Sequence, residues 1–286
     1  MEKSSIAKIL FLITTVFFGA AYVFIREGVT VTDPYNFIFF RFLIAAVILF
    51  VLFPKRIISI RKDALKYGLI IGIPFAIAIT LLAVGLQTTT ASKAGFIGGL
   101  YIIVVPILLR IINKETPLKH HLFAIAVAVA GLGTISLRPD FSIAIGDILV
   151  FLWSVFFAIY IVLVGKFVKK FDVVQITFVQ FIFTLVLTGA VALLTNNLEF
   201  PEGYILWRAL IFVSIFVTVI AFLVQNRFQR YISEVTLGLI YSLEPVFAAA
   251  SAYLILGEVL TSRLWLGGGL IFLALIIAEL PINSKP

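Results

Sequence analysis

The sequence predicts an all-α integral membrane protein of ten transmembrane helices, arranged as two five-helix repeats inverted relative to each other. Three observations lead there. The 286 residues are 62% apolar and only 13% charged, with a mean hydropathy of +1.19, whereas a soluble domain carries about 25% charged residues. That leaves too little polar surface to cover a water-soluble globule, so lipid must be part of the solvent. The apolar residues fall into runs of about 20, the length with which an α-helix crosses the hydrocarbon of a bilayer. The order of these runs also repeats along the chain, at a spacing of about 140 residues.

Ten segments qualify as spans: 6–25, 36–53, 66–87, 93–112, 120–137, 143–164, 175–194, 206–225, 235–256 and 264–281. Barrel strands would alternate in polarity over about ten residues, and LIAAVILFVLF (43–53) does not. The first segment follows Lys3 and Lys8 as a signal core would. It is longer than the roughly 7–15 apolar residues of such a core and has a counterpart in the second half, so it counts as a span. No gap is long enough for a soluble ATPase or sensor domain.

Charge orders the gaps. The N-terminus, 54–65, 113–119, 165–174, 226–234 and the C-terminus, with the helix ends beside them, hold 16 basic residues; the alternate gaps hold 5, namely Arg26, Lys93, Arg138, Arg208 and Arg263. Basic loops stay cytoplasmic, which predicts a multi-pass protein of the cytoplasmic (inner) membrane with both termini in the cytoplasm. The net charge of +8 is therefore topological, and no nucleic-acid partner is expected, since that needs a basic patch on a folded surface. The absence of cysteine removes disulfides, thiolate nucleophiles and thiolate metal sites. His120 and His121 are adjacent and so point to different faces of a helix, a poor metal pair. No cofactor or metal is expected.

The repeat is visible residue by residue. VFFGAAY (16–22) reads like VFFAIY (155–160) and Asp33 falls opposite Asp172, both at an offset of 139; Gly95 matches Gly238, Leu100 matches Leu243 and Glu115 matches Glu258 at an offset of 143. Residues 1–138 form the first five-helix repeat and 139–286 the second. An odd number of crossings per half inverts one half relative to the other. Inverted repeats recur in secondary transporters, with the binding site near the midplane between halves. That favours a carrier over a membrane anchor.

Three stretches carry a resemblance: FGAAYVFIREGVTVTDPYNFIFFRFLIAA (18–46), LQTTTASKAGFIGGLYIIVVP (86–106) and YSLEPVFAAASAYLILGE (241–258). Together they resemble the EamA-type, ten-helix permeases of the drug/metabolite transporter superfamily. The resemblance implies a central cavity lined mainly by the first, third, fourth, sixth, eighth and ninth segments, with the fifth and tenth peripheral. The family's Trp-Gly in the first helix is here Phe18-Gly19, which removes that tryptophan's stacking. Relatives carry amino acids, nucleotide sugars and phosphorylated sugars, so the resemblance implies a small organic metabolite and names no single cargo.

Polar groups at membrane depth mark the candidates for substrate binding. Glu244 lies about nine residues into the ninth segment, roughly 13 Å deep at 1.5 Å per residue. It is either a proton-coupling site or a neutral hydrogen-bonding link between helices. Arg41 stands near the outer end of the second segment. It either attracts a substrate carboxylate or serves the interface, by snorkelling to headgroups or pairing with Glu27 or Asp33; we expect the second. Lys93 opens the fourth segment as an anion lure or an interfacial anchor. Gln87 and Tyr101 supply neutral hydrogen bonds. Trp153 and Tyr160 share one face of the sixth segment, and Tyr22 stands at the corresponding end of the first. These aromatic groups suit a zwitterionic or aromatic cargo and equally suit packing.

Pro74, Pro106 and Pro245 lie within the third, fourth and ninth segments, where each can kink its helix beside the cavity or equally serve packing. Gly131, Gly133 and Gly267–Gly269 permit close helix approach, either within the molecule or in a homodimer through the fifth and tenth segments. Glu115 and Glu258 are expected to cap or pair locally. The expected function is a secondary transporter that moves an amino acid or related compound by alternating access, efflux over uptake, with protons as a candidate coupling ion. A carrier of sugars or of nucleotide or phosphorylated metabolites is the alternative. A membrane-embedded enzyme would need clustered carboxylates or histidines, and a channel a carbonyl-lined filter or a charged ring; the sequence offers neither.

Overall fold

The computed structural model describes residues 2–112, 114, 119–136, 144–168, 171–256 and 262–279, and every regular element among them is helical. Helices α1 (Lys3–Val31) and α2 (Pro34–Leu52) join through the two-residue turn Thr32–Asp33. Asp33 Oδ1 accepts the N–H groups of Tyr35 at 2.8 Å and Asn36 at 3.3 Å. Pro34 occupies the first helical position, where a missing N–H breaks no bond. The short α3 (Pro54–Ile58) leads to α4 (Lys62–Gly85), followed end to end by α5 (Ala91–Gly99) and α6 (Tyr101–Ile112), then by α7 (Lys119–Ser136) and α8 (Ile145–Phe167). Helix α9 (Val173–Leu194) starts like α2: Asp172 Oδ1 accepts from Val174 N–H at 2.8 Å and Gln175 N–H at 3.2 Å.

One rod is then built from α10 (Tyr204–Phe212), a π-helix over Val213–Ala221, and α11 (Phe222–Phe228), and it closes with a 3₁₀ turn at Gln229–Tyr231. The chain continues through α12 (Glu234–Tyr241), α13 (Glu244–Leu256) and α14 (Ser262–Glu279). Among the described residues, seven helices are long and apolar enough to cross a membrane: α1, α2, α4, α8, α9, Tyr204–Tyr231 and Glu234–Ile255; Ile97–Ile112 and Trp265–Ala278 are shorter apolar helices. Large apolar side chains such as Val51, Leu194 and Leu254 stay exposed on their outer faces, as lipid-facing residues do.

Side-chain hydrogen bonds fix which helix ends lie together. Asn36 at the start of α2 donates to the Glu199 carbonyl at 3.0 Å, and Thr89 after α4 donates to Asp147 at the start of α8. At the other end, Gln175 at the start of α9 donates to the carbonyls of Arg56 (2.9 Å) and Ser59 (3.0 Å), and Arg230 donates to the Val168 carbonyl at 3.1 Å. The second group shares its end with the start of α4 and is called here the N-terminal face. Helix α4 packs between α8 and α9, α2 lies on α9, and α1 lies against α13 and the α10–π rod.

Several expectations need correction. The eighth segment, expected to end at 225, stays helical through Phe228, and the first, expected over 6–25, spans Lys3–Val31. The fourth segment breaks at Leu100, directly after Gly98 and Gly99, rather than at Pro106, which lies inside α6. Pro245 falls in the first turn of α13, where it costs no helical bond; the break there precedes it, at Ser242 and Leu243. Gly131 serves packing inside the molecule: a Cβ there would stand 2.7 Å from the Gly267 carbonyl, so α7 and α14 meet backbone to backbone. The rings of His120 and His121 lie together, 4.4 Å apart and edge to face. Glu115 and Glu258 lie outside the described residues.

Candidate functional site

A narrow cleft lies among α1, α2, α4, α8, the π-helix with α11, and the start of α13. It encloses about 400 Å³ of empty space, its opening included. Aromatic and aliphatic side chains form most of its wall, among them Phe18, Ile25, Leu82, Trp153, Phe157 and Val217; its charged lining groups are Arg41 and Glu244. Both are buried, at 2% and 4% exposure. The breaks between helices put them there. The chain stops being helical at Ser242–Leu243 and restarts at Glu244, which puts that side chain on the cleft at the first residue of α13.

Glu244 is held from two sides. Tyr22 Oη of α1 donates to its Oε2 at 3.0 Å, and Tyr101 Oη of α6 donates to its Oε1 at 3.4 Å. The Trp153 indole stands edge-on to both phenol rings, with centroids 6.2 Å from Tyr22 and 6.3 Å from Tyr101. Gly98 makes room for this group, since a Cβ there would strike the Trp153 ring. Each carboxylate oxygen thus takes one hydroxyl donor and keeps capacity to accept another bond.

Arg41 is neither at the interface nor paired with Glu27 or Asp33. Its Nε–H donates to Thr218 Oγ1 at 2.7 Å, and its guanidinium lies over the Phe42 ring at 5.2 Å. Glu27 instead pairs with Arg208, at 2.6 and 2.7 Å to the two carboxylate oxygens, and Asp33 caps α2. The physical reason is depth: Arg41 is seven residues from the start of α2, about 10 Å inside at 1.5 Å per residue, and it faces the protein rather than lipid. Gln87 is exposed in the turn after α4 and does not reach the cleft, because that turn ends beyond the last lining residue, Leu82. The Lys93 side chain lies outside the described residues.

Tyr160 is fully buried one layer further towards the N-terminal face. There Phe18, Phe75, Tyr160, Phe222 and Tyr241 interlock, with centroid separations from 4.8 Å for Phe75–Phe222 to 6.0 Å for Tyr160–Phe222, and close the cleft on that side. Behind the rings sits a buried amide cluster. Tyr160 Oη donates to Asn226 Oδ1 at 3.0 Å, and Asn226 Nδ2 donates to Thr177 Oγ1 at 2.8 Å and Gln180 Oε1 at 3.2 Å. Gln225 accepts from Tyr241 Oη at 3.4 Å, and Gln229 donates to the Ile161 carbonyl at 2.6 Å. Sequence reasoning passed over this cluster because it ended the eighth segment at 225 and treated the next residues as loop. The signal was there in Gln225, Asn226 and Gln229, polar residues in which Gln229 stands four and three places from the other two, the spacing of neighbours on a helix surface.

Two stretches of the chain, residues 5–137 and 144–279, match the model of the EamA-like transporter family. The chain belongs to the EamA-like transporter family. It is thus a membrane transporter within the drug/metabolite transporter superfamily, multi-pass and helical. Its relatives include an "Uncharacterized transporter" of Archaeoglobus fulgidus, 28% identical over 264 residues that cover 92% of this chain and 82% of that one. The "Uncharacterized transporter YyaM" of Bacillus subtilis is 30% identical over 252 residues, covering 81% of this chain and 80% of its own. A protein of known crystal structure shares the fold with a TM-score of 0.78, at 17% identity, over 96% of this chain and 97% of that one.

Proposed function

We propose that this EamA-like transporter is a secondary carrier that moves an amino acid or a related amphoteric metabolite across the cytoplasmic membrane by alternating access, in the direction of efflux. The observation that carries the reading is the pair of buried groups on one cleft. Arg41 offers a planar fork matched to a carboxylate, Glu244 offers acceptor oxygens to an ammonium group, and the wall between them is apolar. A phosphorylated or nucleotide cargo fits less well, since Arg41 is the one cation among the described lining residues.

The proposed architecture is ten spans in two inverted halves, 1–138 and 139–286, with both termini in the cytoplasm. Matched features of the two halves support it. Tyr101 and Glu244 stand at the repeat offset of 143, each as the first residue of a half-helix, and they hydrogen-bond to each other. Asp33 and Asp172 cap α2 and α9 alike, at opposite ends of the molecule. Interrupted helices at corresponding positions of two halves are the pattern from which a midplane binding site is inferred. The basic excess on the N-terminal face supports its cytoplasmic placement. The substrate-binding set is then Glu244, Tyr22, Tyr101, Trp153 and Arg41.

Counterflow in proteoliposomes tests this. Vesicles preloaded with pooled unlabelled amino acids should accumulate a labelled one, and lose the accumulation without the internal pool. Failure with every amino acid would remove that cargo class and send the test to sugars and nucleotide derivatives. Proton coupling is assigned to Glu244: Glu244→Gln should abolish proton-driven transport while leaving exchange at a raised KM, and protons moving at the parental ratio in the variant would refute it.

A further inference from the structure

The π-helix beside the cleft gives Arg41 its bearing. Among the described residues no ion pair reaches this buried cation. What holds it is the neutral segment Val213–Ala221. Thr218 Oγ1 donates to the Val213 carbonyl at 2.9 Å, five residues back, which is the step of a π-helix. A hydroxyl has a single proton. Once that proton is committed to Val213, the oxygen facing Arg41 is an acceptor only, and it takes the Nε–H at 2.7 Å. Ser214, one turn earlier on the same segment, donates to the backbone carbonyl of Arg41 at 3.0 Å. Two hydroxyls of one segment therefore pin both the backbone and the inner edge of a single arginine. The outer edge, Nη1 and Nη2, is left to the cleft that Arg41 and Val217 both line.

We infer that Thr218, with Ser214, is a positioning residue: the π-helix turns a threonine acceptor onto Arg Nε so that the guanidinium presents its terminal fork to a substrate carboxylate. A carboxylate of this protein in the same place would neutralise the arginine and compete with cargo; a hydroxyl orients without competing. The inference rests on the reading of Arg41 as the carboxylate subsite.

The test uses two halves of one amino acid as probes. 4-Methylpentanoate is leucine without its amine, and isoamylamine is leucine without its carboxylate. Binding is followed by Trp153 emission in full-length protein carrying Trp207→Phe and Trp265→Phe, substitutions outside the cleft. Thr218→Val should weaken 4-methylpentanoate binding by on the order of tenfold, the worth of one hydrogen bond to a charged group, and leave isoamylamine unchanged. Thr218→Ser, which keeps the hydroxyl, should bind both like the parent. Parental affinity for 4-methylpentanoate in Thr218→Val, or an equal loss of both probes, overturns the inference. Arg41→Gln separates it from the reading beneath: if that variant or the parent shows no arginine-dependent binding of 4-methylpentanoate, the subsite itself is wrong. If Arg41→Gln loses the probe and Thr218→Val does not, only the positioning role falls.

Discussion

A charged side chain placed in hydrocarbon is costly, and a protein that retains one surrounds it with partners or water. Here Glu244 is met by two phenol hydroxyls and Arg41 by a threonine oxygen and a phenyl face, so each stays buried without meeting an opposite charge among the described residues. Tyr22 is the closer donor to Glu244. Tyr22→Phe keeps the packing against Trp153 and removes one hydrogen bond, worth about 1.5–3 kcal/mol against a charged acceptor. The KM for counterflow of the cargo should rise on the order of tenfold with maximal flux retained; an unchanged KM would show that Tyr22 does not orient Glu244. Glu244, Tyr22, Tyr101 and Trp153, which the structure brings together, could be singled out in the sequence as candidates because polar groups are scarce in apolar runs. The depth of Arg41 was misjudged, since an arginine near a helix end has a stem long enough to reach water and only the packing decides whether it does. Thr218 gave no sequence signal, because threonines are common in spans and a π-helix leaves no mark on residue pattern.

At the scale of the element, breaks matter more than kinks. Prolines drew attention, yet Leu100, after Gly98–Gly99, and Ser242–Leu243 are where the rods divide, with Leu100 and Leu243 at the sequence offset of 143. Glycine at 98 and 99 removes the side chains that would collide with Trp153 and Leu132, and the loss of helix there brings Tyr101 to Glu244. The apolar helices and their order could be read from the run lengths; the capping by Asp33 and Asp172 appears only in the structure. The ends of the rods could not, because a buried polar face such as Gln225, Asn226 and Gln229 resembles a loop in a hydropathy reading. Packing also decides the fate of Gly131. Gly131→Leu would force α7 from the Gly267 carbonyl, and overpacking of this kind costs about 1–3 kcal/mol. The melting temperature in detergent should fall for Gly131→Leu and stay near the parental value for Gly269→Leu, where a Cβ meets nothing within 4 Å. Equal sensitivity at both positions would contradict the internal role of the α7–α14 contact.

At the scale of the molecule, the two halves offer different chemistry at matched positions. Arg41 and Gln180 stand at the repeat offset of 139. One lines the cleft away from the N-terminal face, and the other sits in the amide cluster that helps close the N-terminal side. If the halves exchange roles during transport, the cargo leaves a cationic partner on one side and meets neutral amides on the other, which lowers its affinity as it exits. Asn226→Leu removes the centre of that cluster and should weaken the closure of the N-terminal side. A cysteine at Phe222 should then become reactive from that side in the double variant but not in Phe222→Cys alone; equal reactivity in both would remove the cluster from the gate.

The chain contains no cysteine, so a single introduced thiol reports its own accessibility without background. The most direct test of alternating access is Val217→Cys, at the wall of the cleft, exposed to a charged, impermeant methanethiosulfonate reagent from one face of oriented vesicles at a time. A carrier predicts labelling from both faces, with cargo on one side shifting the balance between them. Labelling from one face alone, whatever cargo is present, would contradict alternating access through this cleft.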